Sequence, residues 1–94
     1  SAASDVYKRQ ILLKAINTFG ASQQIIKSIE ELGELSIALA RYFDGNKIDI
    51  DNICEEMVDV EIMLEQLKII FKDESERIDH YKAMKLNRLK GVVW

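Results

Sequence analysis

Two stretches of this sequence set carboxylates where a helix would place them side by side. "IEELGELSIALARY" (29–42) carries Glu30, Glu31 and Glu34, and "CEEMVDVEIMLEQ" (54–66) carries Glu55, Glu56, Asp59, Glu61 and Glu65. Solvated acidic helix faces normally interleave cations three or four residues on. Here Glu30 meets Glu34 at i+4, Glu31 meets Leu35, Glu34 meets Ala38, and the second cluster reaches no cation until Lys68. Lys27 precedes Glu30 and Glu31, the weaker order for such pairs. Like charges at these spacings cost a few tenths of a kcal/mol each. Glu31 and Glu34 are three residues apart, as are Glu56 and Asp59, so each pair shares one face within one turn. In an antiparallel packing of the two helices the pairs face each other across a groove, where a divalent cation removes the repulsion. A solvated face is the plain competing reading of either cluster alone.

An all-carboxylate set suits Mg²⁺ or Mn²⁺. A di-iron bundle needs Glu-x-x-His motifs, and the single histidine, His80, follows Arg77 instead. One cysteine and one histidine far apart do not make a zinc site. His80 is read as a surface or packing residue and Cys54 as a small core residue. Mg²⁺ held by a few carboxylates keeps waters and meets substrate phosphates, which directs attention to Lys82, Lys85, Arg88 and Lys90 near the C-terminus. Alone these are a basic end complementing a helix dipole. Beside a metal they can clamp phosphate.

The elements that must position these groups are helices. With no proline and four glycines, the 94 residues hold few chain breakers. Ile50, Ile53, Met57, Val60, Leu64, Leu67 and Phe71 are spaced alternately by three and four, one apolar seam. A second helix carries Ile25, Ile29, Leu32, Leu39 and Phe43, and a first, from about Asp5 to Thr18, buries Leu12, Leu13 and Ile16. A last runs from about Glu74 to Lys90. Expected caps are Ser22, Asp49 and a box of Asp73 with Glu76, with Gly91 as the final stop. Short breaks at 19–22, 44–49 and 72–76 make sequential helices antiparallel. The expected fold is all-α, a four-helix bundle in a single domain spanning 1–94.

A chain this short buries only about 60–65% of its unfolded surface, so the seam also suits association of subunits. Net charge is −3, which gives no attraction for nucleic acid. No apolar run approaches the ~20 residues of a membrane span, and no signal peptide is recognisable. One cysteine allows no internal disulfide and fits a reducing, cytoplasmic setting. The chain does not begin with Met, and "SAAS" at 1–4 is set aside as a candidate vector-derived remnant without function.

"EELGE" at 30–34 followed by "EMVD" at 56–59 resembles the E-E-x-x-E … E-x-x-D signature of the MazG-like nucleotide pyrophosphohydrolases. These belong to the all-α nucleoside triphosphate pyrophosphatases, with the dimeric dUTPases and the phosphoribosyl-ATP pyrophosphatases. The resemblance implies Mg²⁺-dependent cleavage of a (deoxy)nucleoside triphosphate to the monophosphate and pyrophosphate. It implies Glu31, Glu34, Glu56 and Asp59 as metal ligands, with Glu30 orienting or deprotonating the attacking water. "KLNR" at 85–88 is similar to the basic stretch that follows the motif, which makes Lys85 and Arg88 phosphate candidates. It further implies a dimer or dimer of dimers with sites near subunit interfaces. Tyr7, Tyr42, Phe43 and Trp94 are the aromatics that could stack on a base. Two readings compete: a non-catalytic helical module that pairs through the seam, and a phosphoribosyl-ATP pyrophosphatase.

Overall fold

The computed structural model describes residues 1–43 and 50–94. They form four helices: α1 (Ala2–Phe19), α2 (Ala21–Phe43), α3 (Ile50–Ile70) and α4 (Ser75–Val93), with a single 3-10 turn, Lys72–Glu74, between the last two. No strand occurs among the described residues.

Several boundaries differ from the sequence expectation. Ser22 does not cap α2, because the helix begins one residue earlier. Gly20 alone separates α1 from α2, at φ 91°, a left-handed value that favours a residue without Cβ. Its N–H donates to the Ile16 carbonyl, while its own carbonyl accepts from the Gln24 N–H, so one residue closes one helix and opens the next. The box of Asp73 and Glu76 does not form: α4 starts at Ser75 without a side-chain cap, because the 3-10 turn precedes it, with the Glu74 N–H donating to the Phe71 carbonyl and the Ser75 N–H to the Lys72 carbonyl. Gly91 does not stop α4, which runs on to Val93. A single glycine costs a helix only about 1 kcal/mol. Ser1 caps α1 by accepting from the Ser4 N–H at 3.2 Å, so residues 2–4 are helical. Asp49, the expected cap of α3, lies outside the described residues.

The most extensive packing is between α2 and α3, with α1 against both. Gln24 Nε2 donates to Gln66 Oε1 at 2.7 Å. Seven residues further along α2, Glu31 lies beside Asp59, seven residues back along α3, so the two helices are antiparallel. The row of α2 that meets α3 is small and polar: Gln24, Ser28 and Ala38 are buried, Glu31 and Leu35 half-buried. The Ser28 hydroxyl donates to the Gln24 carbonyl one turn back, at 2.8 Å. The facing row of α3 is Ile53, Glu56, Val60, Met63 and Leu67.

The apolar stripes expected to be core are therefore only partly used. On α3, Ile53, Val60 and Leu67 turn towards α2, while Ile50, Met57, Leu64 and Phe71 remain exposed. On α2, Ile25 is half-buried, but Ile29, Leu32, Leu39 and Phe43 are exposed. Leu12 of α1 is buried as expected, with Leu13 and Ile16 half-buried. Cys54 is exposed rather than core, on a side of α3 turned away from α2.

The fourth helix stands apart. Its substantial contacts are with the 3-10 turn, and only Ile78 among its residues is half-buried. The chain is accordingly open, with a radius of gyration of 16.1 Å. A compact domain of this length has a radius of about 12 Å. Among the described residues no helix is long and apolar enough to cross a membrane.

Candidate functional site

Helical geometry decides what flanks the α2–α3 contact. Each residue turns about 100°, so the α3-facing row of α2 has Leu32 and Leu39 on one flank and Lys27 and Glu34 on the other, with Ile29 further round towards the far side. On α3 the α2-facing row has Ile50, Met57 and Leu64 on one flank and Asp59 on the other. In an antiparallel pair like flanks fall on the same side. The hairpin thus has an acidic face and an apolar face.

On the acidic face, Glu31, Glu56 and Asp59 each offer a carboxylate oxygen within 4.8 Å of the others. Glu31 and Glu56 are half-buried between the helices, and Asp59 is exposed at the rim. One oxygen of Glu56, Oε2, is cut off from solvent with no hydrogen-bond partner. Burial, followed by repulsion from Asp59, Glu34, Glu31 and Glu55, holds the Glu56 carboxyl above the ordinary carboxylate range. A buried carboxylate oxygen without a donor is unfavourable. The carboxylates beside Glu56, those of Glu31 and Asp59, cannot donate to it while ionised.

The donor set fits a hard divalent cation. Mg²⁺ holds oxygens at about 2.1 Å, so two ligands of one ion are at most about 4.2 Å apart. Oxygens within 4.8 Å reach that by small side-chain rotations. Glu34 stands outside this trio, although its charge reaches Glu56. Glu30 is exposed and directed to Lys27, whose Nζ lies 3.6 Å from Glu30 and 3.2 Å from Glu31. The hydrogen bond to Glu31 leads the interactions that raise the Lys27 pKa. Lys85 and Arg88 lie exposed on α4, outside the acidic group.

Two lysines change the charge balance inferred from sequence. Lys27 neutralises the α2 cluster in part despite its less favourable order. Its i+4 spacing to Glu31 was the visible signal. Lys8 of α1 reaches Glu65 at 2.9 Å, so the acidic run of α3 has a cation well before Lys68. That pair joins residues 57 positions apart and has no local signature. The Gln24–Gln66 bond, 42 positions apart, was equally invisible in the sequence.

Comparison with protein-family models gives no match, and neither the curated proteins nor the solved structures give a significant one.

Proposed function

We propose that the chain is a Mg²⁺-dependent nucleoside triphosphate pyrophosphohydrolase of the MazG-like, all-α pyrophosphatase type, acting as a homo-oligomer in nucleotide-pool housecleaning. The observation that carries this is the convergence of Glu31, Glu56 and Asp59, drawn from two helices onto one face. Those are three of the four positions that the E-E-x-x-E … E-x-x-D resemblance marks as ligands, and the unpartnered Glu56 oxygen gives the group a reason to take up a cation. Mn²⁺ has the same preference for oxygen.

In this reading Glu31, Glu56 and Asp59 would hold the metal, with Glu34 as the fourth ligand that the resemblance implies. The ion would supply neutralisation of phosphate charge and activation of the attacking water. Glu30, exposed beside the group, orients the attacking water or accepts its proton. Water adds to phosphorus as the bond between the α and β phosphates breaks, giving the monophosphate and pyrophosphate. Lys85 and Arg88, which lie on α4 outside the acidic group, would supply positive charge to the phosphates, a role that rests on the resemblance alone.

The test is pyrophosphate release across a panel of ribo- and deoxynucleoside triphosphates, with phosphoribosyl-ATP included, at millimolar Mg²⁺. Release from a nucleoside triphosphate is expected. Release from phosphoribosyl-ATP alone would move the chain to histidine synthesis. No release from any member would leave the second reading, a non-catalytic helical pairing module, which the exposed apolar residues of α2 and α3 favour.

A further inference from the structure

A second group of charges lies on the side of α3 turned away from the acidic trio. Glu65 is nine residues beyond Glu56, which at about 100° per residue is half a turn round the helix. There α1 and α3 border an open cleft of about 280 Å³, at the small end of ligand pockets. Leu12, which is buried, and Ile69, half-buried, give it an apolar floor. Its rim carries Asp5, Lys8 and Arg9 from α1, with Glu65 and Lys68 from α3. Three cations against two acids make this lining net positive, in a chain whose net charge is −3.

The charges of the cleft are not equivalent. Lys8 is bridged to Glu65 at 2.9 Å, and Asp5 lies close enough to favour its charged form further. Both acids therefore act on Lys8. Neither Arg9 nor Lys68 makes an ion pair among the described residues. Two cations from different helices thus share one cleft, over an apolar floor, without a carboxylate to neutralise them. An anion with an apolar body suits that arrangement. The number of acceptors decides which anion. A carboxylate has two oxygens, which the fork of Arg9 satisfies alone. A phosphoryl group presents three, enough for Arg9 and Lys68 together.

We propose that the α1–α3 cleft binds a small phosphate monoester, its phosphoryl group between Arg9 and Lys68 and its apolar body over Leu12 and Ile69. The site needs no divalent ion, because its own lining is positive. The bound ester ties α1 to α3, adding to the Lys8–Glu65 bridge. The cleft is separate from the acidic group, so the proposal stands whether or not the chain hydrolyses nucleotides.

Amide chemical-shift titration by NMR tests it, at low salt with EDTA present, using phenyl phosphate, inorganic phosphate and benzoate as probes. Phenyl phosphate is expected to shift the amides of 5–12 and 65–69 in the wild type. Inorganic phosphate should bind more weakly, for want of the apolar contact, and benzoate more weakly, for want of the third oxygen. Arg9→Gln and Lys68→Gln should each weaken phenyl phosphate binding by roughly 10-fold or more, the loss of one charge-assisted hydrogen bond. Lys14→Gln, exposed on α1 outside the cleft, should bind as the wild type does. Arg9 and Lys68 are exposed, so both variants should keep the fold; should either unfold, the map of wild-type shifts decides. Shifts centred on the cations of α4, no saturable shifts at all, or wild-type affinity in both variants would overturn the proposal. Benzoate bound as tightly as phenyl phosphate would overturn the choice of phosphate. Pyrophosphate release is not read in any of these titrations, so this proposal and the hydrolase reading fail separately.

Discussion

The two faces of the α2–α3 hairpin are built by the same rule and come to opposite ends. Each takes residues from both helices at spacings of three, four and seven. On one face Glu31, Glu56 and Asp59 converge, repel one another and leave a buried oxygen unpartnered. On the other, Leu32, Met57 and Leu64 are each about half exposed. Both are unfavourable in the isolated chain, for different physical reasons. The acidic face is short of positive charge, and the apolar face is short of cover. What would relieve one does nothing for the other.

The largest effect that should separate the faces is catalytic. Asp59→Asn is nearly isosteric and removes one charge from the converging trio. Pyrophosphate release on a confirmed substrate is expected to fall by roughly 100-fold or more, since preorganised charge supplies most of this kind of catalysis. Stability of the metal-free chain should hold or rise, because repulsion is relieved. Glu34→Gln is expected to cost less activity than Asp59→Asn, because Glu34 stands outside the trio. Wild-type turnover in both variants would remove the carboxylates from the site.

Metal should act on the acidic face alone. A cation that binds only the folded chain stabilises it by about 2.7 kcal/mol at 100 times its Kd. Thermal melts with and without millimolar Mg²⁺ should differ by several degrees, and the difference should vanish in Glu56→Gln. An equal shift in that variant would mean that Mg²⁺ acts elsewhere.

Between the faces runs the polar row that sets the register. Gln24→Ala leaves the buried Gln66 without its 2.7 Å partner, an expected loss of about 1–3 kcal/mol in urea unfolding. Replacing both glutamines by Leu should recover most of that loss, since two partners removed together leave no orphan. A double variant as unstable as the single one would show that packing, rather than the hydrogen bond, governs the position.

The smallest effect is the pH dependence. Glu56 takes up its proton at a higher pH in the folded chain than in the unfolded one, whose ordinary value is 4.5. The folded state therefore binds more protons across that interval. Stability from this group rises as pH falls through the raised value, and the gain is complete below the unfolded value. Relative to Glu56→Gln, the metal-free wild type should melt progressively higher as pH is lowered from about 7 to 5. Any Mg²⁺ stabilisation should fade over the same interval as protons displace the cation. A constant difference between the two melting curves would mean that Glu56 is as well solvated as a surface carboxylate.

Composition and spacing by themselves determined that this chain is helical and where its breaks fall to within a few residues; they led to the expectation that Glu31, Glu34, Glu56 and Asp59 meet across a groove, of which the structure brings Glu31, Glu56 and Asp59 together. Helical periodicity is local, and the absence of proline leaves little else for the backbone to do. The pairing of faces was not local. The Ile50–Phe71 seam is wider than one helix contact, and only the tertiary structure decided that Ile53, Val60 and Leu67 turn to α2 while Met57 and Leu64 do not. Ser28 and Ala38, rather than Ile29 and Leu39, meet α3 because small residues let two helices approach closely and leave the larger ones outside the contact. The separation of Glu34 from the trio, the Lys8–Glu65 pair and the departure of α4 also depend on contacts between distant segments. No spacing rule encodes these contacts, because each follows from where a whole helix has come to rest.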